Sequence, residues 1–394
     1  MNKKSIKDID IKGKRVIMRV DFNVPLDSDL KITDDSRIQK SLETIKYIVS
    51  NHGKLILMSH LGRPKGEVNP KLSLKPVAKR LSELLGKPVK VLGDCIGQEV
   101  SLEVKKMSEG DVILLENLRF HKAETKNDPE FAKELASLGE VFVNDAFGTC
   151  HRAHASTEGI THYLESAAGF LVQKEIEYFE QVLTSPKKPL IFILGGAKVS
   201  DKIPVIENMM RKADAILIGG AMAYTFMKAK SISIGSSRLE EEMLDTAKKI
   251  LKLAAESGVK IILPVDHVVT ESIENPSGAK TTDSETIEEG WMGVDIGPET
   301  IKLFSDKIKD AGTIIWNGPV GIFEIDEFSK GSESLAQAIG NSGAISVIGG
   351  GDTAACVVKF SLSGKMSHIS TGGGASLEYL EGKVLPGVAA LSDK

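Results

Sequence analysis

At 394 residues the chain is longer than one ordinary domain of roughly 100–200 residues, so two domains are expected. Hydrophobic residues make up 41% and charged residues 26%, with 14 prolines, which is globular composition and excludes a disordered, collagen-like or disulfide-scaffold chain. Fifty Lys and Arg stand against 54 Asp and Glu, and a net charge of -4 argues against a general nucleic-acid or membrane binder.

The first fourteen residues, Met1 to Lys14, are broken by lysines and aspartates, so no secretory signal is expected there. No apolar stretch reaches the ~18 residues a membrane helix needs. Short runs rich in Ile, Val and Leu then recur, separated by helical or mixed segments. In the first part they are Arg15 to Phe22, Lys54 to Ser59, Val112 to Glu116 and Val141 to Asn144, with amphipathic stretches at Arg37 to Ser50 and Val77 to Leu85. Cys95, Cys150 and Cys356 are scattered through the chain with no C-x-x-C. That spacing excludes a zinc site built on cysteines and leaves free thiols, as expected of a cytoplasmic protein. Leu171 to Leu183 carries apolar residues at helical spacing and ends at Thr-Ser-Pro-Lys-Lys-Pro, which predicts a helix joining two domains. The second part brings apolar runs at Leu190 to Leu194, Ala215 to Ile218, Ile261 to Val265, Thr313 to Trp316, Ile345 to Ile348 and Ile369 to Ser370. Strands apolar on both faces belong to parallel sheets covered by helices. The expected fold is α/β: two doubly wound parallel-sheet, Rossmann-like domains joined by a hinge helix.

Ligands of such sheets lie off the carboxyl ends of the strands, and the residues at those ends differ between the two halves of the chain. The first half offers Asp21 and Asn23, His60 and Arg63, Asn117 and Arg119, then Asn144, Asp145, His151, Arg152 and His154. Arginines and histidines converging from several strands recognise phosphate and carboxylate, because guanidinium presents a planar fork of donors. The second half offers Gly195, Gly196 and Lys198, then Gly219 and Gly220, then Asn317 to Pro319, Gly349 to Asp352 and Thr371 to Gly374. Of the 37 glycines, 12 precede Phe170 and 25 come after it. Glycine at a strand-to-helix turn exposes backbone N–H groups at a helix N-terminus, a phosphate site.

Single residues also have plainer readings. Any one arginine is more simply a solvated surface charge, whereas several at strand ends are not. His151 and His154 lack the further ligands of a metal site, so anion contact or hydrogen bonding is the simpler role. Gly349-x-Gly351-x-x-Ala354 follows a strand and formally matches a dinucleotide fingerprint, which keeps a dehydrogenase as an alternative. The acidic residue due ~20 positions on is missing, since that region reads Ser370, Thr371, Gly372. Asp352, inside the turn, would repel a pyrophosphate unless a divalent cation lay between them. No G-x-x-x-x-G-K-[ST] or protein-kinase motif is present. Lys198 and Lys202, four apart, are expected on one face of a helix after Gly196.

The segments Arg19 to Pro25 (RVDFNVP), Ser59 to Pro64 (SHLGRP), Glu116 to Phe120 (ENLRF), Gly195 to Lys202 (GGAKVSDK), Trp316 to Glu324 (WNGPVGIFE), Gly349 to Thr353 (GGGDT) and Thr371 to Ser376 (TGGGAS) resemble, in order and nearly end to end, the signatures of the phosphoglycerate kinase family. Cys150, where a small residue is usual, is the one departure. The resemblance implies a two-domain glycolytic enzyme moving a phosphoryl group between 1,3-bisphosphoglycerate and ADP, giving 3-phosphoglycerate and ATP with Mg²⁺.

By the family's pattern, residues 1–170 form the acceptor domain and 171–185 the hinge helix. Residues 186–379 form the nucleotide domain, and the tail 380–394 returns to the first domain. Asp21, Phe22 and Asn23 would hold the glycerate end, with Arg37, His60, Leu61, Gly62, Arg63, Arg119 and Arg152 around its carboxylate and phosphate. Gly196, Lys198 and Lys202 would lie near the nucleotide phosphates, and Gly220, Asn317 and Pro319 near base and ribose. Glu324 would take the ribose hydroxyls, and Gly350, Gly351, Asp352 and Thr353 would face the phosphates, with Asp352 toward the metal. Arg37, Lys202 and the N–H groups of Gly373 and Gly374 would stabilise the group in flight, and closure of the hinge would bring the reactants together. A monomer is implied, with no nucleic-acid or membrane partner. The alternatives are an NAD-dependent dehydrogenase and a non-catalytic sensor of phosphate ligands on a similar fold.

Overall fold

The computed structural model describes residues 2–394, which form two compact units. One runs through Glu177 and takes in Val384–Lys394; the other is Tyr178–Lys383.

The first unit is built on six parallel strands: β1 (Arg15–Val20), β2 (Lys54–Met58), β3 (Lys90–Val91), β4 (Val112–Leu114), β5 (Val141–Asp145) and β6 (Glu165–Ala168), in the order β3-β4-β2-β1-β5-β6. Strands β1, β2, β4 and β5 are buried almost throughout, as their two-sided apolar character requires. Helices α1 (Ser36–Ser50), α2 (Lys75–Leu85), α3 (Gln98–Lys105), α4 (Lys122–Thr125) and α5 (Pro129–Ser137) connect them. Helix α1 turns Ile38, Ser41, Thr44, Ile45 and Ile48 inward, a 3–4-residue spacing that lines one helical face. Helix α5 starts where Asp128 accepts from Glu130 and Phe131 N–H with Pro129 in the first turn. The last helix of the chain, Pro386–Ala389, packs in this unit: Asn144 Nδ2 donates to Gly387 O at 3.0 Å, and Gly387 N–H donates to Cys150 O at 2.9 Å. The Cys150 thiol is fully buried there, which pushes its pKa up to about 12.

Helix α6 (Phe170–Thr184) contains the boundary between the units. Its first turn is capped by Asp145, whose Oδ1 accepts from Leu171 N–H at 2.9 Å and Val172 N–H at 3.4 Å.

The second unit has strands β7 (Leu190–Leu194), β8 (Ala215–Ile218), β9 (Lys260–Ile262), β10 (His267–Thr270), β11 (Lys280–Thr281), β12 (Met292–Ile296), β13 (Thr313–Asn317), β14 (Ile345–Gly349) and β15 (His368–Ile369). Six of them form a parallel sheet in the order β15-β14-β13-β7-β8-β9. Helices α7 (Ile203–Met209), α8 (Met222–Ala229), α9 (Leu244–Ser257), α10 (Pro298–Lys309), α11 (Lys330–Asn341), α12 (Gly351–Lys359) and α13 (Gly374–Leu380) connect and cover it. The doubly wound α/β expectation is met in both units.

Sequence reading misplaced some elements. The run Ile261 to Val265 is strand only through Ile262, because Pro264 has no N–H to continue the ladder. The short β3 and β6 escaped notice, as did an antiparallel sheet, β11-β10-β12. Its strands have two to five residues, and a register shift at Val268/Val269 breaks the alternation that would reveal them. Lys198 and Lys202 are not on a helix either: α7 begins at Ile203 with Pro204 in its first turn, and Lys202 is its N-cap.

Candidate active site

In the first unit the sheet order reverses between β1 and β5, the place where an open parallel sheet leaves a crevice. A cleft of about 330 Å³ at the carboxyl ends of this sheet is lined by Arg63, Lys65 and Gly66 after β2, Arg119, His121, Lys122 and Thr125 after β4, and Arg152 and His154 after β5. Arg119 is held by its own turn: its N–H donates to Asn117 Oδ1 at 3.1 Å and its Nη1 to Gly62 O at 3.1 Å. Asn117 Nδ2 in turn donates to Leu61 O and Leu72 O at 2.8 and 2.9 Å. Asn23 Oδ1 accepts from Gly62 N–H at 2.8 Å, and Phe22 N–H donates to Ser59 Oγ at 2.9 Å. The loops after β1, β2 and β4 are thereby tied into one frame. Arg37, in the first turn of α1, pairs through Nη1 with Asp21 Oδ2 and is 44% exposed. It does not line the cleft, although its charge is among those acting on His60.

The cleft is crowded with positive charge. Arg119 Nε is buried with no acceptor. Burial, then the charges of Arg19 and other neighbours, hold the Arg119 pKa down to about 10. Burial and the same arginines push His154 down to about 4, and His60 is depressed in the same way. His60 is therefore neutral and accepts at Nδ1 from Arg19 Nη2 at 3.1 Å. Because the folded pKa of His154 lies below its ordinary 6.5, its contribution to stability is present above pH 6.5 and is lost as pH falls through about 4. Burial is the larger cause, and an anion in the cleft would offset the part due to the arginines. We expect saturating inorganic phosphate to raise the His154 pKa by at least about one unit, read from its imidazole proton resonances. An unmoved titration would remove His154 from the anion's surroundings.

Beneath the cleft lies a buried network that sequence reading missed. Arg19, 0% exposed, donates from Nε to Ser156 Oγ at 2.9 Å and from Nη1 to Val20 O. Ser156 Oγ donates to Glu124 Oε1 at 2.6 Å, and Ser156 N–H to Glu124 Oε2 at 3.0 Å. Glu124 is also 0% exposed, and His154 Nδ1 lies 3.9 Å from its Oε1. A signal for Arg19 existed, since it is a charge near the carboxyl end of a strand in which its neighbours Val16, Ile17, Met18 and Val20 are apolar. Nothing marked Glu124, whose carboxylate is buried by residues distant in sequence.

In the second unit the order reverses between β7 and β13, and the glycine-rich turns meet there. Gly195 N–H donates to Asn317 O at 3.0 Å, Gly196 N–H to Pro319 O at 2.9 Å and Gly220 N–H to Val320 O at 3.0 Å. Gly318 N–H donates to Thr353 Oγ1 at 2.7 Å, and Lys202 Nζ donates to Asn317 Oδ1. A Cβ on Gly195 would stand 2.0 Å from Pro319 O, so two backbones meet where no side chain fits. Gly195→Ala is expected to lower stability by ~1–3 kcal/mol, read as a lower urea midpoint at unchanged slope. An unchanged midpoint would mean the turn yields freely.

Helices α12 and α13 have Gly350 and Gly373 as N-caps, which offer no side-chain acceptor to the first N–H groups; in α13 Ala375 N–H instead donates to Gly372 O at 2.9 Å. Gly351 and Gly374 are the first residues of these helices, and Gly373 holds φ +51. Lys202 is half-buried, and burial lowers its pKa against the opposing charges of Asp201, Asp352 and Glu381. Asp352 is exposed in the first turn of α12. One carboxylate beside helix starts without side-chain caps fits Mg²⁺ with phosphate, since the ion takes one or two carboxylates and fills its shell from phosphates and water. Lys198 and Glu324 are exposed and hydrogen-bond to none of these groups; Glu324 O accepts from Lys359 Nζ at 3.3 Å.

The sequence profile of the phosphoglycerate kinases matches residues 6–383. The chain belongs to the phosphoglycerate kinase family. It is 57% identical over 398 residues to the phosphoglycerate kinase of Thermosipho africanus, covering 100% of this chain and 99% of the relative. To that of Chlorobaculum tepidum it is 54% identical over the full length of both. Among solved structures, phosphoglycerate kinase from Coxiella burnetii superposes with a TM-score of 0.91 at 41% identity, and that from Pyrococcus horikoshii with 0.81 at 32%, each covering 98% of both chains. No helix among the described residues is long and apolar enough to cross a membrane.

Proposed function

We propose that this chain catalyses the reaction for which its family is named: reversible transfer of a phosphoryl group between the acyl phosphate of 1,3-bisphosphoglycerate and ADP, giving 3-phosphoglycerate and ATP. It is a phosphotransferase acting on a carboxyl acceptor. The observation that carries this reading is the cation cluster of the first unit, in which Arg119 Nε is buried without an acceptor and burial together with neighbouring charges depresses His60 and His154. Such a site is relieved by a small anion bearing several negative oxygens, and 3-phosphoglycerate, with carboxylate and phosphate at opposite ends, is one.

In this reading the unit through Glu177 is the acceptor domain. Asp21, Phe22, Asn23, His60, Leu61, Gly62, Arg63, Arg119 and Arg152 hold the acceptor. Tyr178–Lys383 is the nucleotide domain, with Gly196, Lys198, Lys202, Gly220, Asn317, Pro319, Glu324 and Gly350 to Thr353 around ATP. Phosphoryl transfer in line needs no covalent nucleophile, so the protein's contribution is positioning and electrostatic stabilisation. Arg37 steadies the reacting carboxyl oxygen, and Lys202 with the N–H groups of Gly373 and Gly374 takes charge developing on the equatorial oxygens, each donor worth ~3 kcal/mol. Mg²⁺ held by Asp352 supplies further neutralisation of phosphate charge when bound. Since reacting atoms must approach to roughly 3–3.5 Å, we propose that the units close on their substrates during the cycle. Both half-sites belong to one chain, which suits a monomer, and three buried free thiols suit the cytoplasm.

The test is a coupled assay in which ATP, Mg²⁺ and 3-phosphoglycerate drive NADH oxidation through an added dehydrogenase. Turnover dependent on all three is expected; none above background would sink the reading. The NAD-dependent alternative finds no support, because the strand after the Gly349–Ala354 turn ends at Ile369, is followed by Ser370, and supplies no ribose carboxylate.

A further inference from the structure

We propose that Asp94, Cys95 and His121 form a site for one borderline-soft divalent cation of the Zn²⁺ class, separate from the nucleotide's metal. Asp94 and Cys95 follow β3, and His121 ends the helical turn Leu118–Phe120 that follows β4. These strands are parallel neighbours, so their carboxyl-end loops emerge at the same edge of the sheet. One ligand atom from each residue lies within 4.8 Å of the other two. His121 Nε2 and Asp94 Oδ1 are already 2.6 Å apart, and Cys95 N–H donates to the same Oδ1 at 2.6 Å.

Tetrahedral Zn²⁺ with bonds of about 2.0–2.3 Å sets its ligand atoms roughly 3.3–3.8 Å apart. The Asp94–His121 contact, at 2.6 Å, is shorter than that spacing and has to open, while the Cys95 sulfur lies within 4.8 Å of both. Asp94, 51% exposed at its side chain, has freedom to move. The His121 ring is set against Phe131, with centroids 5.3 Å apart. Cys95 is fully buried and forms the floor, while the half-open Asp94 and His121 form the entry. On binding, the Cys95 thiol gives up its proton to solvent, His121 binds through Nε2 as the neutral imidazole with its proton on Nδ1, and water takes the fourth position. A thiolate with imidazole and carboxylate selects Zn²⁺ and Co²⁺ over Mg²⁺ or Ca²⁺, which want oxygen alone. The lack of a C-x-x-C pair rules out a site made of cysteines but does not touch a mixed set drawn from separate loops. His121 also lines the cationic cleft and is the one residue the two sites share.

The experiment is a Co²⁺ titration of the reduced, chelator-treated full-length protein, read by the near-ultraviolet thiolate-to-cobalt charge-transfer band. One Co²⁺ per chain is expected, displaced by equimolar Zn²⁺ and not by excess Mg²⁺. Cys95→Ala should abolish the band, and His121→Gln should weaken binding at least ~10- to 100-fold. No band in the unaltered protein, or a band undiminished in Cys95→Ala, overturns the proposal. If Cys95→Ala does not fold, His121→Gln decides, and unchanged Co²⁺ affinity there overturns it as well.

Discussion

Arg37→Ala is expected to lower kcat by roughly 100- to 1,000-fold and to leave the KM for ATP nearly unchanged. The size reflects the proposed task, a preorganised donor aimed at charge that develops during transfer. Arg37 is suited to it by position: it stands in the first turn of α1 and is half-open to solvent, and its guanidinium is steadied by Asp21. No buried group depends on it, so the fold should survive within about 0.5 kcal/mol. That separates a catalytic loss from a structural one. An equal fall in kcat and kcat/KM marks an interaction made only in the transition state, whereas a rise in KM alone would make Arg37 a binding residue. Arg37→Lys should recover only part of the rate, because an ammonium keeps the charge and loses the fork. An unchanged kcat in Arg37→Ala would refute the role.

Much of this could be read from residue order. Runs such as Leu190 to Leu194 and Thr313 to Trp316 are apolar on both faces, and only a covered parallel sheet uses such strands. Glycines at Gly195, Gly318 and Gly350 marked the turns that meet in the second unit, because close backbone approach excludes other residues. Long-range burial was not legible. Glu124 resembles any surface carboxylate in Lys-Ala-Glu-Thr, and only the fold brings Ser156 and Arg19 to it. The antiparallel strands β10, β11 and β12 were lost for a related reason, since pieces this short carry too little pattern to stand out from loops. The paired lysines were misplaced because spacing alone suggested a helix that Pro204 delays.

The largest stability effect is expected at that hidden pair. Glu124→Ala leaves the fully buried Arg19, which reaches Glu124 through Ser156 and not by direct contact, without its opposing charge, and uncovering a buried charge costs about 3–5 kcal/mol. It also frees Ser156 N–H and Oγ from their acceptor and loosens the turn carrying His154. Both tryptophans, Trp291 and Trp316, lie in the other unit, so their fluorescence does not report this loss directly. Far-ultraviolet circular dichroism in urea should show an early transition in Glu124→Ala that is absent from tryptophan fluorescence. Replacing both partners removes two desolvation penalties together with their attraction. Arg19→Met with Glu124→Leu should therefore recover most of the lost stability while activity stays low, since His60 then lacks the donor at its Nδ1. If Glu124→Ala costs less than about 1 kcal/mol, the range of an exposed surface pair, the network does not hold the cleft together and the cations above it are positioned by their own loops.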